Sequence, residues 1–292
     1  MKTRYLLLAV AVLLIATAGL AVAQEESRIN PAQPTGITVD EIIRKFVEKE
    51  TSFARARENY TYRQTVKVQT LDGDTPDGEY QNITDIQFDQ QGKRVEQVVF
   101  APQSTLSRVS MTREDFDTIR SVMPFVMTNQ TLPDYQINYV GQQKVDELDT
   151  YVFDVAPKQL EKNKVYFQGR VWVDKQDLQI VMTSGRTVPE ARPKKGQENL
   201  FPKFTTWREQ IDGQYWFPTY TRADDDLHFT SGDIHIREIV KYSNYKRFGS
   251  AVKITYEGKE VEKTDAPAQP GQQPPAAQQP PAGQKPPQKP PQ

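Results

Sequence analysis

The chain has 292 residues with 37 basic and 38 acidic side chains, and its net charge of -1 supplies no global attraction to nucleic acid or to an anionic membrane. It contains no cysteine, which excludes disulfides, thiolate metal sites, a cysteine nucleophile and the lipid-modified cysteine of a bacterial lipoprotein. Stability must come from a packed core, which a body of about 220 residues supplies by burying roughly 70% of its unfolded surface.

Residues 1–23 read as a secretory signal. Lys2 and Arg4 form a positive head, Leu6 to Ile15 is an unbroken apolar run, and Ala21 and Ala23 stand at the two small-residue positions that signal peptidase reads. Cleavage after Ala23 delivers a periplasmic protein beginning at Gln24. The alternative is an uncleaved anchor, because Tyr5 to Ala23 approaches the ~20 residues that span a bilayer. No later stretch of the sequence is long and apolar enough to span, so the cleaved chain is not expected to be an integral membrane protein. The Asn-x-Thr sequons at Asn59, Asn82 and Asn129 matter only in a eukaryotic secretory pathway.

After a flexible segment at 24–37, Val39, Ile42, Ile43, Phe46 and Val47 recur at helical spacing, and Thr38 with Glu41 has the form of a capping box. The period then changes to two. Tyr60, Tyr62, Val66 and Val68 alternate with polar residues, Ile86 and Phe88 do the same, and a third strand is expected over Arg94 to Phe100. A second short helix is expected over 112–123, with Thr112 as its cap, Asp115 in its first turn, and Phe116, Ile119 and Met123 on one stripe. Pro124 ends it. Phe125, Val126 and Met127 then form an apolar tripeptide in what should be a loop. It either dips into a ligand site or fills the core under the helix.

Strands resume at Tyr135 and continue through Tyr151–Val155, Val165–Val173 and Leu178–Thr183. The proline-rich, basic stretch 187–202 reads as a long surface loop. Phe204–Ile211 and Tyr215–Tyr220 flank Asp212-Gly213, a strong hairpin signal. Further strands are expected at Ile234–Tyr242 and Val252–Tyr256. The last segment, 259–292, becomes Ala, Gln, Pro and Lys with Pro-Pro pairs from about Asp265, has almost nothing to bury, and should be disordered. It serves as a spacer, a polyproline ligand for an envelope partner, or a solubilising tail. The fold class is α+β, mainly antiparallel β: one domain over 38–258, a single curved open half-barrel sheet covered by two or more helices.

Catalytic chemistry is not legible. His228 and His235 would face opposite sides of one regular strand, which argues against a shared metal unless a turn separates them. Asp224, Asp225 and Asp226 lack the spacing of a calcium loop and read as a solvated acidic turn. There is no nucleophile elbow and no phosphate-cradling glycine loop. A glycosidase-like carboxylate pair stays open, with no spacing to single one out. No cofactor and no metal are expected. The basic-aromatic run Lys241 to Arg247 reads as a strand end with solvated charges, not as a nucleic-acid surface.

Tyr151–Pro157, followed by Gly169–Asp174 with its Trp172-Val173-Asp174 turn and Leu178–Val181, resembles the outer-membrane lipoprotein-sorting (LolA-like) carriers. Asp212–Pro218 is similar to a hairpin of the same group. The resemblance implies a half-open curved sheet closed by helices around an apolar cavity for lipid or lipoprotein acyl chains, held without covalent chemistry. Phe88, Phe100, Phe116, Met123, Phe125 and Met127 are then the candidate liners. The chain departs from the group in its 187–202 loop and its Pro/Gln tail, and no position matches the family's cavity-gating arginine. A non-catalytic carrier or sensor is the leading expectation. An envelope scaffold with a filled core is the second, and a hydrolase the third.

Overall fold

A computed structural model describes residues 28–162, 164–188 and 201–247, with the backbone of 253–254 and 260–261. The signal segment, most of the 187–202 loop and nearly all of the tail lie outside the described residues. The chain divides into Met1–Phe248 and Gly249–Gln292. In the second unit, Lys253–Ile254 pairs antiparallel with Glu260–Val261.

Helix α1 (Val39–Ala56) starts where the capping box places it. The Glu41 N–H donates to Thr38 Oγ1 at 3.2 Å, and the Thr38 N–H donates to Glu41 Oε2 at 3.1 Å. Its inward stripe buries Ile42, Phe46, Val47 and Phe53. The strands that follow are β1 (Tyr60–Asp72), β2 (Thr75–Phe88) and β3 (Arg94–Phe100). Helix α2 (Arg113–Asp117) continues directly into one π-helical turn, Thr118–Val122, closed by the Met123 N–H on the Thr118 carbonyl at 3.0 Å. Then come β4 (Tyr135–Val145), β5 (Leu148–Pro157), β6 (Tyr166–Asp174), β7 (Ile180–Val188), β8 (Phe204–Ile211), β9 (Tyr215–Phe229) and β10 (Gly232–Arg247).

All ten strands form one sheet in the order β3-β2-β1-β10-β9-β8-β7-β6-β5-β4. The chain starts in the middle, meanders out to the β3 edge, crosses to the β4 edge, and walks back until β10 pairs antiparallel with β1. The crossing connection, 101–134, must traverse one face of the sheet. It carries Ile119, Val122, Met123, Phe125 and Met127 into the main core, where they meet Val66, Val240, Phe153, Val171 and α1. The sheet stays open because β3 and β4 do not pair. The β4 edge is covered by the segment before α1, with Asn30 and Gln142 exchanging two backbone hydrogen bonds at 2.8 and 2.7 Å.

The motif turns behave as their residues require. Asp174 is buried and its Oδ2 accepts the N–H groups of Gln176 (2.9 Å) and Asp177 (2.7 Å), which fixes the β6–β7 turn. Asp212 (φ 57°) and Gly213 (φ 65°) both take the left-handed conformation that a tight β8–β9 turn needs. A satellite cluster of Val152, Trp172 and Val181 lies apart from the main core, with Ile29 and Trp216 packed against it.

Candidate functional site

The candidate liners do not fall in one place. Met123 and Met127 are 1% exposed and Phe125 is 5% exposed, all inside the main core, with the Phe125 ring stacked on Phe167 at 4.5 Å. Phe116 is half-buried, edge-on to Tyr80 at 5.9 Å. Phe88 is half-buried at the end of β2. Phe100 is 48% exposed on the β3 edge. The space directly beneath the π turn is therefore occupied by side chains.

A recess of about 240 Å³ opens beside it, between the approach to α2 (residues 108–115) and the inner faces of β1, β9 and β10. Val68, Met111, Leu227, Phe229, Ile234 and Ile236 supply its apolar wall. None of the candidate liners contributes to it. Thr112 and Asp115 stand at its lip, held by a second capping box: Thr112 N–H and Oγ1 donate to Asp115 Oδ2 at 2.7 and 2.8 Å. The lining includes Ser110 and Ser231 but no histidine that could activate a hydroxyl.

Glu238 also lines this recess, 6% exposed, and its Oε1 has no hydrogen-bond partner. Burial first, and then the neighbouring Asp115 carboxyl, push it up to about 8. Burial likewise raises Asp115. Sequence reading passed over Glu238, yet the signal is present. Ile234, Ile236, Glu238, Val240 and Tyr242 share one phase of β10, so the strand period puts a carboxyl where an apolar residue belongs. A second recess of about 260 Å³, lined by Thr61, Tyr62, Arg63, Asp85, Ile86 and Lys246 among others, mixes polar and apolar side chains.

The two histidines require a correction. They do not share a strand: β9 ends at Phe229 and β10 begins at Gly232, so a tight turn separates them. Register pairs His228 with Asp233 and Asp226 with His235, which puts both rings on one face. The acidic triplet is likewise part of β9 and not a turn. His235 Nε2 lies 2.7 Å from Asp224 Oδ1 and Nδ1 lies 2.7 Å from Asp226 Oδ1. Burial raises Asp224, but Arg222, Arg237 and His235 together hold it at about 2. Hydrogen bonding to Asp226 raises His235. Among the described residues no group of three His, Asp or Glu side chains is placed to hold a metal ion, and no helix is long and apolar enough to cross a membrane.

No protein-family model matches the chain, and no curated protein matches it. Among solved structures it is similar to a DUF1329 family protein from Desulfovibrio piger, at 14% identity over 70% of this chain and 93% of that one, TM-score 0.37. It is similar to a LolA superfamily protein from Nitrosomonas europaea at 16% identity, over 70% and 93% of the two chains, TM-score 0.34. A third is an outer membrane lipoprotein-sorting protein domain from Vibrio parahaemolyticus, at 12% identity over 71% and 94%, TM-score 0.33. These neighbours include the group that the Tyr151–Pro157 and Trp172–Asp174 motifs resemble.

Proposed function

We propose that the protein is a non-catalytic carrier or sensor of the cell envelope that binds lipid or lipoprotein acyl chains by reversible burial. The observation that carries this reading is the recess beside α2: six apolar side chains facing a gap of about 240 Å³ on the inner side of an open sheet. Each acyl methylene that leaves water there is stabilised by ~0.8 kcal/mol, so affinity needs no reacting group. The gap is just under the ~300 Å³ at which ordinary ligand pockets begin. It therefore takes one end of an amphiphile and not a whole lipid. A longer chain is accommodated only if the 108–127 segment lifts, which turns Met123, Phe125 and Met127 from core into lining, beside the half-buried Phe116.

Native mass spectrometry with lipid extraction, on mature protein purified gently from the periplasm, tests this. Lipid or acylated protein at near one per chain supports the carrier. An apo mass with no uptake of added phospholipid sinks it. A second reading, an envelope interaction protein, is favoured by one observation: Val98, Val99 and Phe100 stand 60%, 48% and 48% exposed on the free β3 edge, where an extended segment of a partner could add as a further strand.

A further inference from the structure

Glu238 carries more than the apolar wall does. A carboxyl buried to this degree without a hydrogen-bond partner for Oε1 is a costly arrangement, and a folded protein keeps one where something else completes it. Among the described residues the only basic side chain in the recess lining, Arg108, is already engaged: its Nη2 lies 2.7 Å from Asp77 Oδ2 and donates to the Leu71 carbonyl at 2.8 Å. Among the described residues the recess thus presents two carboxyl groups, Glu238 and Asp115, with no free counter-charge in its lining.

We propose that the recess binds the protonated amine end of an amphiphile, with Glu238 as the anionic partner of an organic ammonium and the apolar wall receiving the adjoining methylenes. The inference rests on the amphiphile reading above and names its head group. An ammonium brings three N–H donors to an oxygen that lacks one. A carboxylate or phosphate head would face Glu238 and Asp115 unshielded. A metal ion is a poorer occupant, because no third protein ligand is placed beside the two carboxyls among the described residues. The apolar surroundings of Val68, Leu227, Ile234 and Ile236 strengthen a charge pair formed within them.

Isothermal titration of the full chain at about pH 9, where Glu238 is ionised and an alkylamine still carries its proton, with octylamine, octanol and octanoate separates the possibilities. Octylamine is expected to bind about tenfold to a hundredfold tighter than octanol, in line with hydrogen bonds to a charged group, and octanoate weakest. Glu238→Gln keeps the shape and should erase that preference while octanol binding persists. Leu227→Trp fills the recess without touching the carboxyl and should abolish binding of all three. Equal octylamine and octanol affinity, unchanged in Glu238→Gln, overturns the ammonium and leaves the amphiphile reading standing. No binding of any of the three to the wild-type chain removes both. Octylamine binding undiminished by Leu227→Trp places the amine elsewhere and overturns the assignment. Thermal midpoints of both variants establish that they are folded.

Discussion

Arg208 and Glu50 form an ion pair sealed in the core: Arg208 Nη1 lies 3.1 Å from both Glu50 oxygens, and each side chain is 1% exposed. The pair joins four parts of the fold. Glu50 belongs to α1 and its Oε1 also accepts the Ile180 N–H of β7 at 3.2 Å. Arg208 belongs to β8, its Nη2 donates to the Phe125 carbonyl, and its guanidinium lies 5.4 Å from the Phe53 ring centroid. Burial pushes the Glu50 carboxyl up, while Arg208 and the Ile180 N–H pull against it. The crossing segment is thereby tied to the helix and the sheet through a single guanidinium.

Removing either partner leaves the other charged and dry. Arg208→Ala and Glu50→Ala are each expected to lose about 3–5 kcal/mol, whereas the paired replacement Glu50→Leu with Arg208→Met loses much less, since the desolvation penalty disappears with the charges. Urea unfolding of the three variants at a common slope checks this. Single losses below about 1 kcal/mol would mean that the pair is solvated in solution, as exposed pairs are.

The carboxyl of Glu238 makes stability depend on pH with a definite sign. Its folded pKa of about 8 stands above the ordinary 4.5. Between those values the unfolded chain has lost a proton that the folded chain keeps, so stability falls as pH rises through this window and levels off above it. The fall due to this group is of order 3–5 kcal/mol. Asp115, raised by its own burial, adds in the same sense. Comparing unfolding at about pH 5 and about pH 9, Glu238→Gln should remove most of the decline seen in the wild type. A wild-type curve flat over that range would show that the carboxyl is not buried as described.

Much of this architecture was legible because its period is local. The capping box at Thr38, the cap at Thr112, the Asp212-Gly213 turn and the two-residue alternation along β1, β5 and β6 follow from spacing alone. What escaped depends on sequence separation. Glu50 lies on the same inward stripe of α1 as Ile42, Phe46 and Phe53, but its partner is 158 residues away in β8, and a lone acidic residue on an amphipathic helix reads as a solvated one. Glu238 likewise sits in phase with Ile236 and Val240, yet the recess it lines exists only once the crossing connection lies over β1, β9 and β10. The histidines were misplaced because one short turn at 230–231 changes which strand face each occupies.

Two glycines set the floor on which Phe125 rests. Gly169 of β6 and Gly185 of β7 are cross-strand partners. A Cβ on Gly169 would lie 2.3 Å from the Ser184 carbonyl oxygen and 3.0 Å from the Phe167 ring; one on Gly185 would lie 2.3 Å from the Gln168 carbonyl oxygen and 2.8 Å from the same ring. Phe167 thus covers a bare patch of sheet and offers its other side to Phe125. Gly169→Ala and Gly185→Ala should each cost about 1–3 kcal/mol by overpacking, and should shift the Phe125 and Phe167 ring resonances together. Unchanged thermal midpoints would show that the strands separate freely at this point.

The two edges of the sheet are treated differently, and the difference is testable. Asn30 occupies the β4 edge with two backbone hydrogen bonds, while β3 carries Val98, Val99 and Phe100 into solvent. A free apolar edge invites another strand, and a lysine placed on it opposes pairing. Val99→Lys should leave stability within about 0.5 kcal/mol, because a surface side chain 48% exposed contributes little to the core. It should abolish any concentration-dependent association that analytical ultracentrifugation detects in the wild-type protein. Association that persists unchanged in Val99→Lys would place the contact away from β3 and remove the observation favouring the interaction reading. Loss of association with lipid uptake intact would instead separate the β3 edge from the recess beside α2 as two independent surfaces, one for protein and one for amphiphile.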